Sequence, residues 1–255
     1  MSMERKYEIV IVKENEEEYI KVAKKLGVKD LVMLYEVNKL SDLSIFLDYK
    51  KPYDINIYLG ALIRTNNKKR IRRLAVELYY NKNLFNDLIV VEASSPDIVR
   101  YVSDLRFVNI VINVEWLAQE DHLHYRKSGL NHIVARRLKE NNIALGIPFA
   151  KLINTELYLK GKVFGRILQN IQKLYKKYRF KIIIASFAED PYLMRRPEDL
   201  ISLGRVLGLN YHEALEAVSK NIEEQMKRIR EVKDPTTLGI GFKIVRYPFE
   251  DYEDY

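Results

Sequence analysis

The amino-acid sequence predicts an α/β fold with a parallel sheet, and three observations carry that expectation. Short β-rich segments alternate with longer amphipathic segments, which is the pattern of βαβ units. Several β-rich segments are almost continuously apolar, as parallel strands covered on both faces are. After about residue 186 the alternation stops and helical segments follow one another. We therefore expect about seven parallel strands and about nine or ten helices, with the extra helices at the C-terminal end.

Each element is predicted from its own residues. Strands are expected at 7–12, 31–36, 55–63, 88–92, 107–114, 143–147 and 181–186. Helices are expected at 14–26, 38–49, 67–80, 96–104, 128–141, 162–178, 197–207, 211–219 and 220–231. Ser95 before Pro96 marks one helix start, Ser128 is expected to cap another, and Pro197 and Gly208 bracket a third helix. Seven strands are compatible with a closed barrel or with an open doubly wound sheet.

Composition limits the class of protein. With 255 residues, of which 47% are hydrophobic, the chain can bury a full core. We expect one domain over 1–235 and a tail over 236–255, with a β-like run at 240–245 before the acidic end EDYEDY. No apolar run approaches the ~20 residues that a membrane helix needs, and the N-terminus does not resemble a signal peptide. The absence of cysteine excludes disulfides and thiolate chemistry, so we expect a cytoplasmic protein.

The charge balance favours a polyanionic partner such as RNA. Lys and Arg number 43 against 35 Asp and Glu, which gives a formal charge of +8. Basic residues cluster at 64–73, 173–181 and 227–233, and Arg195 and Arg196 stand in front of a predicted helix. The positive end of a helix dipole favours a carboxylate or a phosphate rather than two cations. The alternatives are a heat-adapted surface rich in charges of both signs and local pairing of these arginines with neighbouring acids.

Carboxylates end several predicted strands, and two histidines lie close in sequence. In a barrel, the strand ends that carry Glu36, Glu92, Glu115 and Glu189 would meet at one end. These acids would then bind Mg²⁺ or act as general acids and bases. The alternative is that they only mark where each strand ends and polar sequence begins. His122 and His124 have a spacing that allows both to bind one metal. Arg126 and Lys127 would repel that metal, so the segment fits better as a cationic loop before a helix, where His132 adds a donor for a phosphate. No phosphate-binding glycine loop and no nucleophile elbow is present.

Three motifs in order carry a family resemblance. They are SGLNHIVARRLKENNIALGIPF at 128–149, RRPEDLISLGRVLGL at 195–209 and EALEAVS at 213–219, with the strand KIIIAS between the first two. Together they resemble protein component 3 of archaeal ribonuclease P. The resemblance implies a TIM-barrel-like domain related to the PHP phosphoesterases. Phe187 and Glu189 stand where those enzymes carry a metal-binding Asp and His, so we expect no metal and no catalytic residue in this chain.

The resemblance also implies a function and partners. In ribonuclease P the RNA cleaves the 5′ leader from precursor tRNA with Mg²⁺, and the proteins support it. The implied partners are the ribonuclease P RNA, component 2 in a heterodimer or heterotetramer, and components 1 and 4, with no membrane and no cofactor on this chain. Residues expected to contact RNA are Arg195, Arg196, His132, Arg126, Lys127, Lys176 and Arg106.

Two other functions stay open at this point. A metal-dependent phosphoesterase would use side chains among Glu36, Glu92, Glu115, His122 and His124, which would then have to converge in a pocket. An assembly scaffold without direct RNA contact would instead show a sizeable exposed apolar patch. For the face that holds component 2, the candidates are the terminal helices and the run at 240–245.

Overall fold

Seven parallel strands form one sheet whose strand order follows the chain order. The computed structural model describes residues 5–13, 15–47, 54–118, 120–121, 126–234, 237–239 and 242–243. The strands are β1 (Tyr7–Val12), β2 (Asp30–Glu36), β3 (Asn56–Ile63), β4 (Leu88–Glu92), β5 (Ile110–Ile112), β6 (Ala144–Pro148) and β7 (Ile182–Ala185). All seven predicted strands are confirmed, and only the fifth is much shorter than the sequence indicates.

The sheet closes into a barrel. Beyond the end of β7, the amide of Phe187 donates to the carbonyl of Ile9 at 2.8 Å, and the amide of Ile11 donates to the carbonyl of Ala188 at 2.9 Å. These bonds join the two edges of the sheet, so the fold is TIM-barrel-like and the doubly wound alternative is wrong. Closure with seven strands is possible because the segment after β7 completes the contact with β1.

Helices cover the outside of the barrel and follow the strands in βα order. They are α1 (Glu16–Lys25), α2 (Lys68–Tyr80), α3 (Pro96–Ser103), α4 (His132–Glu140), α5 (Phe149–Asn154), α6 (Leu157–Gln169), α7 (Lys176–Tyr178), α8 (Pro197–Val206), α9 (Tyr211–Val218) and α10 (Lys220–Lys233). A π-helical segment, Asn170–Tyr175, joins α6 to α7. The last three helices confirm the predicted C-terminal helical addition. No helix in the described ranges is long and apolar enough to cross a membrane.

Local hydrogen bonds explain where the predicted helices are wrong. The predicted helix at 38–49 is a 3₁₀ segment, Leu40–Phe46, because the Asp42 carboxylate accepts the amides of Asn38 and Lys39 and tightens the turn. The cap of α4 is Asn131, whose side-chain oxygen accepts the Val134 amide at 2.9 Å, and not Ser128. The sequence also misses α5 and the first turn of α6. Leu157 and Tyr158 open α6 on its solvent side and obscure the helical period.

The core has an inner and an outer layer. Alternate strand residues such as Ile9, Leu34, Val90 and Ile112 fill the barrel, and the remaining strand residues pack against the helices. At the N-terminal ends of the strands, the barrel is closed by α10, which contributes Ile222 and Met226 to the inner layer. The opposite end, where the strands finish and most helices begin, therefore carries the open face of the barrel. A small antiparallel pair, β8 (Thr237–Gly239) and β9 (Phe242–Lys243), follows α10 and covers part of the predicted run at 240–245. The rest of that run lies outside the described residues.

Candidate nucleic-acid interface

Five of the seven side chains predicted to contact RNA lie at the C-terminal end of the barrel. Arg126 and Lys127 stand in the loop between β5 and α4, and His132 is the first residue of α4. Arg195 and Arg196 stand between β7 and α8, where Pro197 opens the helix as predicted. Connectivity therefore brings cations from two loops to one end of the molecule, next to backbone amides at helix N-termini.

The remaining two lie at the opposite end. Arg106 is in the turn that leads from α3 into β5, and Lys176 is in α7 just before β7. Arg106 is exposed, its guanidinium lies 5.6 Å from the ring of Phe107, and its carbonyl accepts a bond from Arg228 of α10. The structure thus does not bring Arg106 and Lys176 together with the other five.

Arg195 and Arg196 have different environments although they are adjacent. The Arg195 guanidinium donates to the carbonyls of Tyr192 at 3.2 Å and Met194 at 2.7 Å, and it lies 5.3 Å from the ring of Phe149. It therefore holds its own loop against the barrel. The Arg196 side chain is 57% exposed and reaches Asp199 at 3.4 Å, a surface pair that contributes little stability. Of the two, Arg196 has the cation that is free to exchange its partner for a phosphate.

A pocket of about 730 Å³ opens beside the start of α4. Arg126, Lys127, Asn131, Gln169 and Glu120 lie on its wall. The Arg126 backbone is held by Gln169 of α6, whose side-chain amide donates to the Arg126 carbonyl at 3.1 Å. The first turn of α4 contains no acid, so the amides and the two cations face the pocket with Glu120 as the acidic wall residue. This is an arrangement that attracts an anionic group.

A buried charged cluster that sequence reasoning missed supports this loop from behind. The Arg166 side chain is 1% exposed, donates to the Asp121 carboxylate at 2.8 Å, and also donates to the carbonyls of Glu115 at 3.0 Å and Ala118 at 2.8 Å. Arg166 thereby fixes the segment that follows β5. The available signal was an arginine among apolar residues in GKVFGRIL, on the face of a helix that packs inward.

Glu115 belongs to that buried cluster and not to a ring of acids at the open end of the barrel. Its carboxyl accepts a hydrogen bond from the Asn170 side chain at 2.9 Å, and its other oxygen has no partner among the described residues. Burial raises the pKa of Glu115 to about 7. The predicted convergence of four strand-end acids is therefore wrong for Glu115.

The other three acids converge on an arginine. Arg64, which directly follows β3, bonds to Glu92 at 2.5 Å, to Glu36 at 3.1 Å and to Glu189. Lys151 adds a contact to Glu92 at 3.4 Å. Burial alone would raise the pKa of Glu92, but the charges of Arg64 and Lys151 outweigh it and hold that pKa below its usual value. All three acids are thus neutralised by cations from within the chain.

This geometry does not support the phosphoesterase hypothesis for the residues that the structure places. Within the described ranges, no group of three or more His, Asp and Glu side chains is arranged to hold a metal ion. His122 and His124 lie outside those ranges. Phe187, which stands where the PHP phosphoesterases carry a metal ligand, is buried in the inner layer with a positive φ of 47°.

Comparison with protein families and curated proteins agrees with the sequence resemblance. The family model described as "RNase P subunit p30" matches residues 7–233. The ribonuclease P protein component 3 of Methanococcus maripaludis strain C6 is 28% identical over 234 residues, which cover 90% of this chain and 94% of that protein. Its counterpart in Methanothermobacter thermautotrophicus is 26% identical over 201 residues, which cover 77% of each chain.

Comparison with solved structures confirms the fold. A chain in the cryo-EM structure of archaeal ribonuclease P with mature tRNA matches with a TM-score of 0.67 and 22% identity, over 95% of this chain and 100% of that one. The apo N6-methyl-AMP deaminase from Arabidopsis thaliana matches with a TM-score of 0.50 and 10% identity, over 85% of this chain and 76% of the deaminase. Both likenesses concern the fold alone.

Proposed function

The chain belongs to the RNase P subunit p30 family, and from that premise we propose that it serves ribonuclease P by holding RNA phosphates at the C-terminal end of its barrel. Its function is that of a protein subunit of archaeal ribonuclease P, which removes the 5′ leader from precursor tRNA. The observation that carries the proposed mode of action is the pocket beside α4, where Arg126, Lys127 and backbone amides face solvent together. Contacts of this kind are electrostatic, so they position RNA without reading its sequence.

The residues at this end do different work in the proposal. Arg126, Lys127, His132 and Arg196 are exposed and contact phosphates. Arg195 acts mainly as a positioning residue, because carbonyl oxygens and the Phe149 ring already occupy its guanidinium. Arg106 and Lys176 contact RNA only where the RNA also reaches the other end of the barrel. The chain itself binds no cofactor, and Mg²⁺ acts at the RNA.

Partners and location form part of the same proposal. The chain assembles in the cytoplasm with the ribonuclease P RNA, with component 2 as a heterodimer or heterotetramer, and with components 1 and 4. A specific observation favours a protein-docking role beside the RNA role. Leu157 is 87% exposed and Tyr158 is 73% exposed at the start of α6, with Ile153 of α5 also exposed. Such a patch is more easily explained by a partner than by solvent. We assign it to component 2, in preference to the terminal helices and the run at 240–245 that the sequence suggests for that partner.

A reconstitution tests the proposal. The chain is combined with a ribonuclease P RNA and component 2, and precursor-tRNA cleavage is measured against Mg²⁺ concentration. Wild type is expected to lower the Mg²⁺ concentration that cleavage requires. The Arg126→Ala/Lys127→Ala variant is expected to lower that concentration by less. The control Lys21→Ala/Lys25→Ala removes the same charge from exposed positions on α1 and is expected to behave as wild type. If wild type leaves the Mg²⁺ requirement unchanged, the proposed function is wrong.

The docking role has its own test. Leu157→Asp/Tyr158→Ser changes only exposed side chains, so the fold is expected to persist by circular dichroism. Binding to purified component 2, measured by calorimetry, is expected to weaken at least tenfold. Unchanged affinity would refute the assignment of this patch, and it would leave the RNA contacts standing.

A further inference from the structure

The exposed face of α2 carries the densest group of basic side chains that the structure describes. Its members share exposure to solvent and lie within the first half of the helix: Lys68, Lys69, Arg70, Arg72 and Arg73. The buried face of the same helix, which includes Ile71 and Leu74, packs in the outer layer of the core. The acid of this helix, Glu77, accepts a bond from the Asn81 side chain at 2.8 Å and is not paired with any of the five.

This arrangement is unfavourable for the helix by itself. Among the described residues, no carboxylate lies within 4.0 Å of any of these five cations. Lys68 and Arg72, like Lys69 and Arg73, are four residues apart and repel each other on one side of the helix. All five also lie toward the positive end of the helix dipole.

Two other helices of the chain, α1 and α8, are built in the opposite way. The first turn of α1 contains three acids, Glu16, Glu17 and Glu18, and the first turn of α8 contains Glu198 and Asp199. The start of α2 is nonetheless well defined, because the Asn67 side chain accepts the amide of Arg70 at 3.1 Å. The unfavourable charges are thus held on an ordered helix.

The neighbouring helix extends the basic surface toward the pocket beside α4. The ammonium group of Lys68 lies 5.9 Å from the ring of Tyr101 on α3, and the adjacent Arg100 is exposed. The first residue of α3, Pro96, lies on the wall of that pocket. A strand of phosphates that crosses α2 and α3 would reach the Arg126 loop by passing Arg100 and the start of α3, where Asp97 is exposed.

We propose that the exposed face of α2 is a second binding surface for the phosphodiester backbone of RNA, formed by Lys68, Lys69, Arg70, Arg72 and Arg73. The identification of the polyanion as RNA rests on the proposed function. An acidic protein is the less suitable partner, because the centre of a protein interface is apolar and poor in charge. The apolar residues in the first half of α2 are buried, so the exposed face there consists of cations alone.

The test compares two variants of equal charge. Lys69→Gln/Arg72→Gln/Arg73→Gln removes three cations from α2 with residues that keep good helix propensity. Lys21→Gln/Lys25→Gln/Lys29→Gln removes three exposed cations that lie in and after α1. Binding of a fluorescein-labelled ribonuclease P RNA transcript to the full chain is measured by anisotropy from 50 to 300 mM KCl, and melting is followed by circular dichroism without RNA.

The expected results have opposite signs for binding and stability. The α2 variant is expected to bind at least tenfold more weakly at 100 mM KCl, with a log–log salt slope that is shallower by about 2 to 3. Its melting temperature is expected to equal or exceed that of wild type, because repulsion has been removed. The α1 variant is expected to bind within about twofold of wild type.

Three results would overturn the proposal. In the first, the α2 variant binds as tightly as wild type does. In the second, both variants weaken binding equally, which would mean that only net charge matters. In the third, the α2 variant melts below wild type, which would mean that these cations stabilise the fold. The proposed function fails separately, when wild type itself does not lower the Mg²⁺ requirement in the reconstitution.

Discussion

Replacing Arg64 with methionine removes the cation on which three carboxylates converge at the open end of the barrel. Methionine keeps much of the apolar stem of arginine, so the loss is mainly electrostatic. Arg64 is 25% exposed and Glu92 is 22% exposed, which places this network between a surface ion pair and a buried one. The two limits are about 0–1 kcal/mol for an exposed pair and about 3–5 kcal/mol for removing one partner of a buried pair.

The residual partners of each carboxylate decide where the loss falls between those limits. Glu92 retains Lys151 at 3.4 Å and a hydrogen bond from Asn113 at 2.6 Å. Glu189 retains Lys13 at 2.6 Å. Because neither is left without a partner, we expect the free energy of unfolding at pH 7 to fall by about 2–3 kcal/mol. For a chain of this length, that corresponds to a melting temperature lower by roughly 5–10 °C.

The effect is expected to depend on pH. For both Glu92 and Glu189, burial would raise the pKa, and the neighbouring cations outweigh it, so the pKa in the folded chain lies below the ordinary value of 4.5. A carboxylate of this kind stabilises the fold above its unfolded pKa and loses that contribution as pH falls through its folded pKa. The deficit of the Arg64→Met variant should therefore be complete at pH 7 and shrink progressively below pH 4.5.

Urea denaturation at pH 7 and at pH 4 measures both effects. Fluorescence of Trp116 and far-UV circular dichroism should give coincident transitions if unfolding is two-state. The control is Arg137→Met, which breaks the more exposed pair with Asp104 and should cost no more than about 1 kcal/mol. The reasoning is refuted if the two variants lose equal stability or if the loss for Arg64→Met is the same at both pH values.

The remaining predictions concern buried groups and one turn. Burial raises the pKa of Glu8 to about 8 and that of Glu115 to about 7, so wild type should lose stability as pH rises from 4.5 to 8. Glu8→Gln should reduce that loss in urea denaturation, and the part below pH 7 that remains should come from Glu115. Gly129→Ala should lower the melting temperature by more than about 5 °C, because φ is +79° and the new Cβ would lie 2.2 Å from the Val114 carbonyl oxygen. Gly161→Ala, where nothing lies within 4 Å, should instead stabilise α6 by about 0.5–1 kcal/mol. Arg166→Met should destabilise the fold by about 3–5 kcal/mol, measured by the same denaturation, because it removes the buried cation from Asp121 and leaves the carbonyls of Glu115 and Ala118 without their donor.

Each of these predictions has an outcome that contradicts it. For Glu8→Gln, the contradicting outcome is a free energy of unfolding that changes with pH in parallel with that of wild type between about pH 5 and pH 8. For the glycines, it is a pair of alanine variants that melt at the same temperature. For Arg166→Met, a loss below about 1 kcal/mol would mean that the cluster behind the Arg126 loop contributes no more than a surface pair does.

Much of the architecture follows from local sequence, and the exceptions share a cause. Strand positions are readable because β-branched apolar runs have few alternatives when both faces are buried. The helix starts at Ser95 and Pro197 are readable because capping is a local interaction. The start of α4 is misplaced because Ser128 and Asn131 both suit a cap, and only packing of the preceding loop selects Asn131.

The candidate site divides in the same way. From the sequence alone, the excess of basic residues, the family motifs and the positions of Arg126, Lys127 and Arg196 near helix starts could be predicted, since charge and order along the chain are local properties. Which side chains meet is not local. Pairing of β3 with β2 and β4 brings Arg64 to Glu36 and Glu92, and closure of the barrel adds Glu189. Arg64 thereby neutralises acids that the sequence offers as metal ligands.

Partner choice within the tertiary structure separates residues that look alike in the chain. Arg195 and Arg196 are adjacent and identical in type, yet one is held by carbonyls of its own loop and the other is exposed. The cations of α2 resemble any solvated helix face until the surrounding helices show that no described acid approaches them. Composition and periodicity thus determine that this chain forms a basic α/β fold with a parallel sheet, and the closed barrel is seen only in the tertiary structure. The tertiary structure decides which of its charges are neutralised internally and which are left to bind another molecule, because ion pairs such as those of Arg64 join residues that only the folded chain brings together.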